Sequence, residues 1–146
     1  MTNLYFTIGL PRSGKSTYCT EVMKNSGLTV VCADNIRHQL YGQPMYVGGE
    51  EIVHAVKHLM IRSLLHRGNT VIVDGTHTRA EHIEQLLKIG YGAQGIFFPT
   101  DPETCKKRAI DTQQEYLLPV IDRMVDNLKN LPQNLKDKFQ VRAKWL

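Results

Sequence analysis

The chain has no apolar run approaching the roughly 20 residues that a membrane-spanning helix needs, so none is expected. Its beginning lacks a basic segment followed by a long apolar one, the pattern of a secretory signal. Cysteine is scarce. Cys19, Cys32 and Cys105 are odd in number and widely spaced, which argues against a disulfide framework or a zinc site and suits a reducing, cytoplasmic setting. There is no internal repeat, low-complexity tract or linker, so the 146 residues read as one domain spanning 1–146. Charge of one sign is barely in excess: 18 Lys and Arg against 14 Asp and Glu leave +4. That tilt suits anionic partners without separating a nucleic acid from a small anion.

What is present is concentrated near the start. Gly9-Leu10-Pro11-Arg12-Ser13-Gly14-Lys15-Ser16 follows the apolar run Leu4-Tyr5-Phe6-Thr7-Ile8 and fits G-x-x-x-x-G-K-[ST] at every fixed position. The spacing has a physical basis. Gly9 and Gly14 are expected to adopt backbone angles that other residues avoid, letting the loop curl its amides around a phosphate. Lys15 can reach the outer phosphates, and the Ser16 hydroxyl can hold accompanying Mg2+. The following helix adds its N-terminal partial charge. Nucleotide contacts are therefore expected from Gly9, Pro11, Arg12, Ser13, Gly14, Lys15, Ser16 and Thr17.

The rest alternates between strands and helices. A strand over residues 3–8 leads to a helix over about 15–25, with Gly27 as its left-handed cap. Residues 28–33 form a second strand, and Asp34 caps a short helix through Ile36, Arg37 and Leu40. Residues 41–49 read as a loop. A long helix follows over about 50–66, its apolar positions being Ile52, Val53, Val56, Leu59, Met60 and Leu64. Residues 70–73 form a third strand ending at Asp74. Thr78-Arg79-Ala80-Glu81 resembles a capping box for a helix over about 79–89. Ile96-Phe97-Phe98 with its flanks is a fourth strand, and Asp101-Pro102-Glu103 starts a helix to about Asp111. Residues 112–118 read as polar and mobile, 119–131 as a helix, 131–137 as a polar loop and 139–146 as a last strand. Continuous apolar strands between helices predict a doubly wound α/β domain with a parallel sheet, whose ligands bind at the carboxyl ends of the strands.

The residues with chemical potential sit at those ends. Asp34 and Arg37, three apart, share a helix face. The carboxylate can take a proton from an attacking hydroxyl and the guanidinium can grip a phosphate. Asp74 closes its strand as a Walker B carboxylate does, a second magnesium candidate beside Ser16. Thr76 and His77 lie on the same crest as candidate substrate contacts. Lys106, Lys107 and Arg108 precede the polar segment, where a lid over about 109–119 can bring cations to a migrating phosphate. Arg123 is a weaker candidate of that kind. His54 and His58 have i, i+4 spacing but lack the glutamate of H-E-x-x-H, so no metal is assigned to them.

Three of these features occur in family order: the phosphate loop, then Asp34-x-x-Arg37, then Asp74-Gly75-Thr76 after a Val/Ile strand. With Asp101-Pro102 through Cys105 and Arg108, and then Leu118 to Met124, they span most of the chain. The sequence resembles the small P-loop kinases that include phage-type 5′-polynucleotide kinases. The resemblance implies a P-loop kinase-like three-layer sandwich around a parallel sheet of about five strands. It implies transfer of the ATP γ-phosphate to the 5′-hydroxyl of DNA or RNA, with Asp34 as general base and Arg37 on substrate or phosphate. Lys15 and Ser16 would hold the triphosphate and magnesium, and Arg108 would be the lid cation. In the family's R-N-x-x-R lid pattern the second arginine corresponds to Thr112 here, so Arg108 or Arg123 substitutes for it or the acceptor differs. A kinase domain alone is expected, without the phosphatase domain of some relatives. A small-molecule kinase acting on a sugar, nucleoside or antibiotic hydroxyl shares every donor residue. A nucleotide-binding protein without turnover is the third reading.

Overall fold

Each apolar run becomes a strand of one sheet because β-branched and aromatic side chains pack on both of its faces. A computed structural model describes residues 2–43 and 48–141. Its strands are Leu4–Ile8 (β1), Thr29–Cys32 (β2), Val71–Asp74 (β3), Gln94–Phe97 (β4) and Phe139–Val141 (β5). They lie in the order β2-β3-β1-β4-β5, all parallel. β1 is central, and the chain turns to one side of it for β2 and β3 and to the other for β4 and β5. The crevice at its carboxyl end is therefore where a ligand belongs in such a sheet.

The connecting helices are Lys15–Ser26 (α1), Ala33–Tyr41 (α2), Glu50–His66 (α3), Ala80–Ile89 (α4), Pro102–Asp111 (α5), Leu118–Lys129 (α6) and Gln133–Lys136 (α7). Strand alternation sorts the core into layers. Leu4, Phe6, Ile8, Val31, Val71 and Val73 pack with Ile61 and Leu65 of α3, Ile83, Leu86 and Ile89 of α4, and Leu135 of α7. Ile72 and Ile96, pointing the other way, pack with Cys19 of α1, Phe98, Tyr5 and Tyr18. A third cluster joins Leu10 of the phosphate loop to Cys105 and Ala109 of α5 and Ile121 of α6. The result is the expected three-layer α/β sandwich with a five-stranded parallel sheet.

Local expectations divide by whether a backbone rule or a side-chain pattern carried them. Gly27 caps α1 in the left-handed region (φ 68°), its N–H donating to the Met23 carbonyl. Asp101 caps α5, accepting from the Thr104 amide with Pro102 at the first position. Asp34, however, is not a cap: Cys32 holds that place without a side-chain bond, because α2 begins directly at the strand end and leaves Asp34 inside the first turn. The capping box at residues 78–81 does not form either. Arg79 is the N-cap of α4, and its guanidinium pairs with Glu81 instead. β4 takes in Gln94 and Gly95 on the near flank of the expected Ile96-Phe97-Phe98 and stops at Phe97.

Residues 112–118 are not a free polar segment. A 3₁₀ turn over Glu115–Leu117 runs straight into α6, and Leu117 and Leu118 pack on the Leu10 cluster. Nor is 131–137 a loop, since burial of Leu135 winds Gln133–Lys136 into a turn of helix. Of the last strand, residues 139–141 are observed, whereas 142–146 lie outside the described residues. The same holds for 44–47 of the loop expected after α2.

Candidate active site

The loop after β1 reverses sharply and feeds α1. Arg12 (φ 66°) and Gly14 (φ 100°) are both left-handed on either side of Ser13, an alternation that draws backbone amides toward one hollow. The first helical bond runs from the Tyr18 amide to the Gly14 carbonyl. It leaves the amides of Lys15, Ser16 and Thr17 without helical partners at the positive end of α1. Gly14 needs its conformational freedom, but Gly9 does not, for its backbone is outside the left-handed region. Its requirement is space: a Cβ there would meet Ser13 Oγ at 2.9 Å and Phe98 Cβ at 3.1 Å.

Side chains anchor this hollow. Lys15 is buried, and its ammonium donates to the Leu10 carbonyl at 2.5 Å and to Ser13 Oγ at 3.1 Å. Burial lowers its pKa to about 8, with Asp74 pulling the other way. Ser16 Oγ donates to Asp74 Oδ2 at 2.9 Å, joining the loop to the end of β3. Burial pushes the Asp74 carboxyl up, and the Ser16 bond and Lys15 partly offset it. Thr100 Oγ1 donates to the Ser13 carbonyl at 2.9 Å, and the Gly9 amide donates to the Thr76 carbonyl at 3.0 Å. Pro11 is half-buried beside exposed Arg12, and Ser16 and Thr17 present outward.

Ser16 and Asp74 are the oxygen donors a magnesium ion would take. Among the described residues no group of three or more His, Cys, Asp or Glu is placed to hold a metal. Magnesium commonly binds through one or two protein oxygens plus phosphates and waters. A hydroxyl and a buried carboxylate beside a phosphate hollow fit that donor set.

One strand over, α2 begins at Ala33 and presents Asp34 and Arg37. Arg37 NH1 donates to Asp34 Oδ1 at 2.5 Å, while Nε and NH2 grip Glu50 of α3 at 2.7 and 2.6 Å. Glu50 therefore clamps the guanidinium bidentately, and its own carboxyl is held below the usual range by Arg37. Sequence reasoning missed Glu50, which reads only as a helix start; no spacing links it to a residue 13 positions earlier.

Two expectations shift. His77 is not on the crest. It takes a left-handed backbone (φ 43°) that turns its ring under the sheet, where it is buried against Phe6. There Nδ1 bonds the Thr7 carbonyl at 2.7 Å and Nε2 meets Lys57 Nζ at 3.3 Å. The neutral tautomer with a proton on Nδ1 satisfies both, and burial lowers the pKa to about 3. The basic end of α5 also divides. Lys106 pairs with Asp122 at 2.7 Å and Lys107 with Asp111 at 2.8 Å. Arg108 alone crosses to the phosphate loop, donating to the Arg12 carbonyl at 3.0 Å. Arg123 is exposed on α6. Thr112, where the lid pattern has its second arginine, bonds the Arg108 carbonyl at 2.8 Å and finishes α5. The His54 and His58 rings lie 4.4 Å apart on α3, tilted by 45°, with His54 bonded to Gln85.

Residues 4–131, from the first strand through α6, match the AAA domain family model. The chain belongs to the AAA domain family. Solved structures add the fold. A chain of the Pnkp1/Rnl/Hen1 RNA repair complex superposes with a TM-score of 0.78 over 95% of this AAA domain at 22% identity. This chain spans 46% of that one, less than half its length. A gluconokinase from Sinorhizobium meliloti 1021 superposes at 0.66, 15% identical, covering 98% of this chain and 84% of that one. A shikimate kinase from Acinetobacter baumannii superposes at 0.64, 14% identical, covering 100% and 85%. No curated protein sequence matches. At these identities the likeness is one of fold, a P-loop kinase-like sandwich, and chemistry must be argued from the site.

Proposed function

We propose that this AAA domain is an ATP-dependent phosphotransferase that moves the γ-phosphate to a hydroxyl acceptor, the 5′-hydroxyl of DNA or RNA. The observation that carries the reading is the adjacency of two half-sites. A phosphate hollow with Lys15, Ser16 and Asp74 lies at the ends of β1 and β3. A carboxylate–guanidinium pair, Asp34 and Arg37, opens at the end of β2, the next strand.

In this reading the amides from Gly9 to Thr17 and the Lys15 ammonium hold the triphosphate. Ser16 and Asp74 would hold magnesium, which would supply positive charge against the triphosphate. Asp34 Oδ1 is taken by Arg37, and among the described residues Oδ2 has no partner. It receives the proton of the acceptor hydroxyl as that oxygen bonds to the γ-phosphorus and ADP leaves. Arg37, held by Glu50, faces the acceptor or the moving phosphoryl group. Arg108, in the last turn of α5 at the edge of a lid over about 109–119, brings positive charge over the loop, within a single domain over 1–146. Thr76 lines the acceptor side.

A second reading, a small-molecule kinase, is favoured by the likeness of fold to the gluconokinase and the shikimate kinase. Labelled ATP offered with 5′-hydroxyl oligonucleotides, nucleosides and sugars separates the readings. Label on the oligonucleotide supports the first, label on a small acceptor the second, and no transfer a nucleotide-binding role without turnover. Asp34→Asn is expected to cut transfer by about 10²–10⁴-fold with ATP affinity unchanged, whereas Lys15→Ala should weaken ATP binding itself. Normal turnover in Asp34→Asn removes the base assignment.

A further inference from the structure

The inward row of α3 consists of Val53, Lys57, Ile61 and Leu65, spaced by four. Three are core residues. The fourth is a lysine, only 9% exposed, in a slot where a Leu or Ile would pack on the sheet. A buried ammonium is costly unless an anion answers it. Among the described residues Lys57 has one hydrogen-bond partner, the neutral His77 ring at 3.3 Å, and no ion pair. The imidazole accepts one of its three protons and contributes no negative charge.

The surroundings say where the missing anion belongs. Lys57 and Glu50 are seven residues apart, two turns, and so share a face of α3. Glu50 is the residue that clamps Arg37. On the other side its ammonium meets the His77 ring, buried against Phe6 below the β3 crest. Lys57 therefore stands between the Asp34–Arg37–Glu50 cluster and that buried ring, on the acceptor flank. Burial lowers its pKa to about 8, and Arg37 pushes in the same direction. Two cations, Arg37 and Lys57, share this flank; Glu50 attracts Lys57 from a distance, but among the described residues only Arg37 is in direct contact with carboxylates.

We propose that Lys57 is an acceptor-binding residue whose ammonium receives an anionic group carried beside the reacting hydroxyl, the first phosphodiester of a 5′-hydroxyl polynucleotide. This rests on the reading of the site as a phosphotransferase with its acceptor at Asp34 and Arg37. A lysine suits the task as a point charge on a flexible stem, while Arg37 is geometrically committed to Glu50.

Binding and transfer test the two ideas separately. A 5′-hydroxyl hexanucleotide is made with an ordinary first linkage or with a neutral methylphosphonate there, and binding is followed by fluorescence anisotropy without ATP. The wild-type protein is expected to prefer the phosphodiester about tenfold. Lys57→Met, which keeps the side-chain volume, should lose that preference and leave ATP affinity unchanged, and Lys57→Arg should recover part of it. The same preference in Lys57→Met as in wild type overturns the proposal. If Lys57→Met fails to fold by thermal melting, Lys57→Gln is read against the same pair of oligonucleotides. Labelled ATP then tests the underlying reading: failure to label either oligonucleotide removes the polynucleotide acceptor whatever the binding result. Gluconate and glucose distinguish the source of the anion. Lys57-dependent preference for gluconate, with none between the oligonucleotides, keeps the anion subsite and discards the phosphodiester. Absence of Lys57-dependent preference in both pairs overturns both.

Discussion

A buried histidine with a lowered pKa couples folding to pH, and His77 is the clearest case in this chain. The folded ring, pKa about 3, stays neutral with Nδ1 donating to Thr7 and Nε2 facing Lys57. A protonated ring would turn a second donor against an ammonium. In the unfolded chain the pKa is near 6.5, so between about pH 6.5 and 3 the unfolded state binds the extra proton. Stability from the neutral ring is thus complete above about pH 6.5 and is lost as pH falls, by about 1.4 kcal/mol per pH unit per proton. His58, lowered to about 4 mainly by burial, adds to the same slope. His77→Asn retains a residue that tolerates the left-handed backbone and removes the titration. Denaturant unfolding from pH 7 to 4 should show a slope shallower by about one proton; an unchanged slope would place the acid sensitivity elsewhere. At this scale the sequence was readable where chemistry has a fixed spacing. Lys15, Ser16, Asp34 and Arg37 follow strand ends, and Asp74 closes one. The burial of His77, expected on the crest, and the inward place of Lys57 escaped because they depend on which way a backbone turns and which row of a helix faces inward. Ile52, Leu59 and Met60, expected on the packed face of α3, are exposed. The inward row is 53, 57, 61 and 65, and a lysine within an apolar i, i+4 series was the signal available.

Among the elements, α5 and α6 with the turn between them form a unit that packs against the phosphate loop. Ala109 and Cys105 bury against Leu10 and Ile121, so the unit is packed at its base while Arg108 stands exposed at its edge. Its bond to the Arg12 carbonyl crosses 96 positions of sequence. Such a contact adds little to stability because solvent competes for both groups. Its proposed value is positional, since the guanidinium is held where charge on a transferring phosphate would develop. Arg108→Ala is therefore expected to lower kcat by about 10²–10³-fold with a melting temperature within a degree or two of wild type. A large loss of stability with proportionate loss of activity would make Arg108 a structural tie instead. Thr112 shows why element ends are hard to read from a motif. The position answers a local demand, its hydroxyl closing the last turn of α5 on the Arg108 carbonyl, and it holds no second cation. The start of α4 makes the same point: a capping-box pattern existed on paper, but the strand exit placed Arg79 at the cap.

For the molecule as a whole, the order β2-β3-β1-β4-β5 was expected only as a parallel sheet, because strand order depends on contacts between residues far apart in sequence. That order makes the phosphate loop the exit of the central strand. β1 is hydrogen-bonded to β3 on one side and β4 on the other, and the loop is fastened to both through Ser16–Asp74 and Thr100–Ser13. A ligand held there should stabilise the whole fold by linkage. At 100 times its Kd it contributes about 2.7 kcal/mol, or roughly 5–10 °C in melting temperature for a domain of this size. Melting in saturating ATP with magnesium should show that increase, a smaller one with the metal chelated, and none in Lys15→Ala at the same nucleotide concentration. Lys15 is buried, and its ammonium is held by Leu10 and Ser13, so the variant must also be compared without ligand. If Lys15→Ala melts lower by itself yet gains the full increase with ATP, the lysine braces the loop. If it melts normally and gains nothing, the lysine is the nucleotide contact, and the central strand ends in a working phosphate site.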